Sequence, residues 1–160
     1  MIVRIGKLQL RLYASILEQR TGVCSQNYSN LSEHCLLWDF DYSKADDIYK
    51  SLKVVQKQYS LPSIYLIQSS QDSYHAYCLV AKTFREVIAI LSATPEIDLT
   101  YLKLGIVRGY FTLRITPRKN EPNFRIYKIL PSVYKNEMMF EDLTINEYLT
   151  SNKGGKYAKS

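Results

Sequence analysis

The stretch from residue 35 to 94 orders its apolar positions in a way that leaves few folds open to this chain of 160 residues. Leu36–Asp41 alternates apolar and acidic side chains, which predicts a strand. Apolar residues then recur every three or four positions over Ser43–Tyr59, which predicts a helix that ends before a proline. Two further strands, Ser63–Gln68 and Tyr74–Val80, follow around a short polar turn.

Helix boundaries in this stretch carry their own signals. Ser43 is a candidate N-cap, with two aspartates in the first turn where they complement the helix dipole. Thr83 and Glu86 have the spacing of a capping box, and the helix that they start stops before Pro95. The element order is therefore β-α-β-β-α. It predicts an α+β domain with an RRM-like (ferredoxin-like) antiparallel or mixed sheet and flanking helices.

The remaining segments are less strongly patterned. Two apolar runs, Leu102–Val107 and Tyr110–Ile115, flank an Arg-Gly pair typical of a turn. Phe124–Leu130 alternates and predicts a last strand. The first 20 residues predict a strand and a short helix, and residues 21–33 predict a polar loop.

Composition bounds the class of protein. No apolar run approaches the roughly 18 residues of a membrane helix, and the N-terminus lacks the order of a signal peptide. Three cysteines, an odd number, favour a reducing compartment, so we expect a cytoplasmic protein that does not bind a membrane. Cys24, Cys35 and His34 allow a zinc site to be imagined, but no C-x-x-C pair supports one. A net charge of +6 favours a polyanionic partner.

Two carboxylates stand out on the first strand. Asp39 and Asp41 alternate with Trp38 and Phe40, so both carboxylates project from one face of a strand while the rings take the other. Neighbouring carboxylates repel each other unless a cation lies between them. For such an all-oxygen site the natural cation is Mg²⁺ or Mn²⁺.

A serine and a histidine farther along the chain also have the spacing that places two side chains on one face of a strand. Ser73 and His75 are two residues apart and therefore share a face of the third strand, next to the turn. If that strand neighbours the first, we expect both side chains on the same surface as Asp39 and Asp41.

Together these residues resemble the motifs of the archaeo-eukaryotic primase superfamily, which includes primase-polymerases and replication proteins of plasmids and phages. Asp39 and Asp41 are similar to its D-x-D motif, and Ser73 and His75 to its S-x-H motif, in the family's order and spacing. The pair Ile97-Asp98 resembles its third motif.

The resemblance extends over roughly residues 35 to 125. Arg114, with a proline three residues on and Lys119 beyond it, is similar to the basic segment that follows the catalytic motifs in small replication primases. The chain length fits a single domain, which we expect over residues 1–150 and which the resemblance makes primase-polymerase-like. The glycine-containing residues 151–160 predict a flexible tail.

The implied function is a metal-dependent nucleotidyltransferase, of DNA primase or polymerase type, in replication of a plasmid, virus or other small genome. The implied roles are catalysis by Asp39, Asp41, Asp98 and His75, two-metal (Mg²⁺ or Mn²⁺) ligation by Asp39, Asp41 and Asp98, and nucleotide binding by Ser73, His75, Arg114 and Lys119. The implied partners are a single-stranded DNA template, nucleoside triphosphates, and a helicase or another replication protein.

Two other classes stay open. A catalytically inactive module or replication initiator on the same fold would bind single-stranded nucleic acid, with bases stacked on Tyr74, Tyr77, Tyr110 or Phe111. A relaxase-type nickase would need an H-x-H metal pair, whereas His34 and His75 are the only histidines and lie far apart.

Overall fold

The computed structural model describes residues 2–5, 8–11, 22–27, 30–115 and 125–134. These segments form an α+β fold, as predicted. The strands are β1 (Ile2–Ile5), β2 (Leu8–Arg11), β3 (Gly22–Cys24), β4 (Glu33–Asp41), β5 (Ile64–Gln68), β6 (Ser73–Thr83), β7 (Thr112–Arg114) and β8 (Arg125–Leu130). The helices are α1 (Ala45–Gln58), α2 (Phe84–Ser92) and α3 (Leu99–Arg108).

The largest sheet has the strand order β4-β6-β5-β8, and every neighbouring pair is antiparallel. Strands β4 and β5 therefore run parallel to each other with β6 between them, and α1 makes the crossover. This is a split βαβ arrangement. Two smaller antiparallel sheets pair β1 with β2 and β3 with β7.

The aromatic face of β4 is buried in the core. Trp38 and Phe40 have no exposed surface, and they share one core cluster with the apolar faces of α1 and α2. The indole Nε1 of Trp38 donates a 2.9 Å hydrogen bond to the hydroxyl of Thr94, which follows α2. Because side chains alternate along a strand, burying these two rings turns Asp39 and Asp41 to the opposite face.

The predicted order from β4 to α2 is confirmed, and so is the last strand, β8. The capping box of Thr83 and Glu86 is present. The predicted N-cap Ser43 is wrong, because Lys44 occupies that position without a side-chain cap. The Ser43 hydroxyl instead donates to a carboxylate oxygen of Glu96, at 3.1 Å.

The run Leu102–Val107, which the sequence presents as an apolar segment before a turn, lies within helix α3. Only Leu102 and Gly105 of this helix are buried, and they lie one turn apart. Other apolar residues of α3 face solvent, so the run does not show helical periodicity. The predicted turn is present at Gly109, which ends the helix in the left-handed conformation, with φ 82°.

The polar segment of residues 21–33, predicted as a loop, contains β3, which pairs with β7 from the far end of the described chain. In the first 20 residues the backbone forms β1 and β2. The helix predicted there falls on residues 12–20, outside the described residues, as do the basic loop of residues 116–123 and the tail of residues 151–160. None of the helices in the described segments is long and apolar enough to span a membrane.

Because Gly105 packs against Phe111, we expect a Gly→Ala substitution in this helix to destabilise the protein, although it usually stabilises helices. Gly→Ala inside a helix usually stabilises by about 1 kcal/mol. A methyl group at position 105, however, would overlap the buried ring of Phe111. We expect Gly105→Ala to lower the free energy of unfolding by about 1 to 3 kcal/mol, as overpacking does, when measured by urea denaturation.

The matched control is Val107→Ala on the exposed side of the same helix. It should change stability by less than about 0.5 kcal/mol, as surface substitutions do. If Gly105→Ala is as stable as the wild type, the close packing of α3 on Phe111 is incorrect.

Candidate metal centre

The register of β4 against β6 brings the two sequence motifs together. Asp39 lies directly opposite His75, and Asp41 lies directly opposite Ser73. Residues that face each other across an antiparallel pair project to the same side of the sheet. All four side chains therefore share one face, as the sequence predicts.

Asp98 joins this group through the open edge of β4. The backbone N–H of Asp98 donates to the carbonyl oxygen of Asp39 at 2.9 Å, and the Tyr101 hydroxyl donates to the carbonyl oxygen of Leu37 at 2.9 Å. Positions 37 and 39 direct their carbonyls to the same strand edge. Helix α3 therefore docks along β4 with its first turn next to Asp39.

Asp98 is also the N-cap of α3. Its carboxylate accepts a hydrogen bond from the backbone N–H of Thr100, which satisfies one of the unpaired donors of the first turn. A carboxylate has two oxygens and several lone pairs, so capping leaves Asp98 able to act as a ligand as well.

Asp39, Asp41 and Asp98 each offer a carboxylate oxygen, and these oxygens lie within 4.8 Å of one another. Opposite oxygens around an octahedral Mg²⁺ are about 4.2 Å apart, so small side-chain rotations would gather the three around one ion. Asp41 is exposed and Asp98 half-buried, which leaves the cluster open to solvent. The donor set fits Mg²⁺ or Mn²⁺. In the described part of the chain, these three residues are the one group of three or more potential metal ligands.

Crowding and burial act together on Asp39. Burial first, and then the neighbouring charges of Asp41 and Asp98, raise the pKa of its carboxyl to about 7. The positive charge of Arg114 and a backbone hydrogen bond from Phe40 oppose this shift. A bound cation would favour the ionised form, which the metal-free protein disfavours.

The imidazole of His75 lies against the carboxylate cluster, next to Asp39. Its Nε2 lies 3.5 Å from Oδ1 of Asp39, and its Nδ1 lies 3.4 Å from the hydroxyl of Tyr77. The side chain is only 7% exposed. The imidazole is thus placed to orient the Asp39 carboxylate. It offers little surface for the triphosphate contact that the family resemblance implies.

Of the other three implied nucleotide-binding residues, two lie near the carboxylate cluster and one lies outside the described residues. Arg114 is half-buried at the end of β7, and its charge acts on Asp39. Ser73 is half-buried opposite Asp41. Lys119 lies outside the described residues.

The sequence reasoning assigns Tyr77 only to base stacking and does not single out Tyr101. Tyr77 lies two residues after His75 on the same strand, so strand periodicity alone places it on the same face. Tyr101 lies one helical turn after Asp98. Its signal is hidden, because the helix that carries it is not evident from the sequence.

No protein-family model, curated protein or solved structure matches the chain. The case for the site therefore depends on its geometry.

The raised pKa of Asp39 predicts how stability changes with pH. Between about pH 4 and 7 the unfolded chain releases this proton while the folded chain retains it, so this carboxyl lowers stability progressively as pH rises. Asp39→Asn removes that penalty. We expect the variant to gain about 2 kcal/mol on the wild type between pH 5 and 8 in metal-free urea denaturation.

Asp72→Asn, which removes an exposed carboxylate in the turn between β5 and β6, is the matched control. A stability difference between Asp39→Asn and wild type that stays constant over this pH range would contradict the raised pKa.

Docking of α3 can be tested through Tyr101. Tyr101→Phe leaves the carbonyl of Leu37 without its hydroxyl donor, which should cost about 1 to 3 kcal/mol of stability. Because Asp98 is then held less firmly, Mn²⁺ affinity measured by calorimetry should fall severalfold, although no ligand has changed.

The control is Tyr110→Phe, a partly exposed tyrosine that follows the Gly109 cap of α3. Unchanged Mn²⁺ affinity in a Tyr101→Phe protein that has lost stability would show that the helix does not position the third carboxylate.

Proposed function

We propose that this protein is a metal-dependent nucleotidyltransferase of the primase-polymerase type, which extends a nucleic-acid strand on a single-stranded template during replication of a small genome. The observation that carries the proposal is the meeting of Asp39, Asp41 and Asp98 on one sheet face, with His75 against Asp39. The four residues come from three separate elements, β4, β6 and the start of α3.

Nucleotidyl transfer builds negative charge on both the attacking 3′-oxygen and the leaving pyrophosphate. Divalent metal ions, when bound, stabilise that charge at both oxygens. The three carboxylates would hold those ions at the surface, where Asp41 is exposed to an incoming nucleotide. Their oxygen-only chemistry is the kind that Mg²⁺ and Mn²⁺ prefer.

The surrounding residues would tune this centre. His75, between Tyr77 and Asp39, would fix the orientation of the Asp39 carboxylate, as hydrogen-bonded neighbours of metal ligands commonly do. Arg114 would contribute positive charge next to the site. A guanidinium can bind phosphate oxygens through two parallel hydrogen bonds.

The fold supports this proposal over the part of the chain that carries the site. The split βαβ formed by β4, α1, β5 and β6 has the order expected for an RRM-like core, with the carboxylates on the sheet face opposite Trp38 and Phe40. The edge of β4 is covered by α3, and β8 lies beyond β5. The RRM-like description is therefore proposed for the elements from β4 to α2.

A binding module that stacks bases on aromatic residues is less well supported. Tyr74, Tyr77 and Phe111 are buried, so their rings offer no open face to a base. Tyr110 is only partly exposed. The acidic cluster would also repel a nucleic-acid backbone in the absence of a metal.

Primer extension tests the proposal. The full chain, a primed single-stranded DNA template and nucleoside triphosphates are incubated with Mn²⁺ or Mg²⁺. We expect extension by the wild type and a loss of at least about 100-fold in Asp41→Ala, since loss of a charge-stabilising group commonly costs that much. Asp39→Ala should lose a similar amount, and His75→Ala less.

Asp41 is the most informative position because it is exposed, so its removal should leave the fold intact, as circular dichroism can verify. Asp72→Ala, an exposed acid outside the cluster, should retain full extension. Extension that survives Asp41→Ala or chelation of the metal would rule out the proposed site.

A further inference from the structure

An open cavity adjoins the cluster of Asp39, Asp41 and Asp98 near the start of α3. Its volume is about 450 Å³, within the usual range for small-molecule sites. We call it the Tyr42 cavity, and it is lined by Asp41, Tyr42, Ser43, Glu96, Asp98 and Thr100, together with a neighbouring isoleucine. Two of the candidate metal ligands thus form part of its wall. A molecule bound to the metal would extend into it.

Tyr42, one of the residues that line this cavity, has a highly exposed aromatic side chain. Its side chain is one of the most exposed large hydrophobic side chains in the described segments, with 91% of the residue accessible. Its backbone N–H donates to the carbonyl of Asp72 at 2.9 Å, which fixes the main chain directly after Asp41. An exposed ring on an anchored backbone costs little to order when a flat ligand packs against it.

The cavity is also lined by hydrogen-bond acceptors. The Ser43 hydroxyl donates to a carboxylate oxygen of Glu96 at 3.1 Å, so this carboxylate is held in place with acceptor capacity remaining. Tyr42 and Glu96 have backbone φ angles of 60° and 67°, in the left-handed region that residues other than glycine seldom adopt. The turn between β4 and α1 and the turn before α3 are therefore both held in unusual conformations at this cavity.

The chemistry of the walls selects the part of a nucleotide that fits. Asp41, Glu96 and Asp98 make the cavity acidic, so a phosphate group would be repelled unless it lay on the metal ions. A nucleoside matches the walls better. It offers a flat base to the aromatic ring and hydroxyl donors to the carboxylate.

Building on the proposed function, we propose that the Tyr42 cavity binds the nucleoside part of the incoming nucleotide. The Tyr42 ring stacks on the base, Glu96 accepts a hydrogen bond from a sugar hydroxyl, and the triphosphate lies toward Asp41 and Asp98. Stacking on an aromatic ring tolerates any base, as a template-directed enzyme requires.

Binding measurements with two probes separate this inference from the proposed function. The full chain with Mn²⁺ is titrated with ATP and with inorganic triphosphate in a calorimeter. Inorganic triphosphate reports the metal centre alone. ATP adds the nucleoside. We expect the wild type to bind ATP about tenfold more tightly, the size of a single stacking contact.

Variants test whether the tenfold gain in affinity for ATP over inorganic triphosphate comes from the Tyr42 cavity. Tyr42→Ala should abolish it and leave inorganic triphosphate binding unchanged, whereas Tyr42→Phe should retain it. Glu96→Ala should weaken ATP binding and leave inorganic triphosphate binding intact. Tyr134→Ala, another accessible tyrosine far along the chain, is the control and should retain the full gain.

Two results would overturn the inference while the proposed function stands: equal binding of both probes by the wild type, or an undiminished gain in Tyr42→Ala. If the wild type binds neither probe in the presence of Mn²⁺, the proposed function and the inference fail together.

Discussion

The outer edge of β4 is the constraint on which the site depends. An edge strand exposes backbone groups that need partners, and here they come from two other segments, the residues after β3 and the start of α3. The backbone N–H of Cys35 donates to the carbonyl oxygen of Ser25. The carbonyl oxygen of Leu37 accepts from the Tyr101 hydroxyl, and that of Asp39 accepts from the backbone N–H of Asp98. Satisfying this edge is what brings a carboxylate from the start of α3 next to the carboxylates of β4, so the carboxylate cluster is a consequence of pairing this edge.

The resulting cluster is electrostatically unfavourable in the absence of a cation. Three carboxylates lie within a few ångströms, and burial and like charges raise the pKa of Asp39 to about 7. Structural sites rarely retain such a penalty, whereas sites that bind cations commonly do, because the ligand relieves it. The charge of Arg114 reduces the repulsion without removing it. A divalent cation bound among the three carboxylates would relieve the same repulsion.

Much of the fold and two of the three clustered carboxylates could be predicted from local patterns. Alternation along β4 and β6 places Asp39, Asp41, Ser73 and His75 on one face, and the element order fixes their proximity. Sequence could not show that residues 99–108 form a helix, because exposed apolar side chains obscure its periodicity, nor that β3 pairs with β7. It suggested Asp98 only through the family resemblance. Burial of His75 and the hydroxyl contacts of Tyr77 and Tyr101 depend on tertiary packing, which no local pattern encodes.

The central claim is that these three carboxylates form one divalent-metal site. The most direct measurement is anomalous X-ray diffraction from crystals of the full chain soaked in Mn²⁺. The structure predicts an anomalous peak among Asp39, Asp41 and Asp98, within about 2.5 Å of their oxygens. A well-diffracting soaked crystal with no peak there, or with Mn²⁺ bound only at other carboxylates, would contradict it.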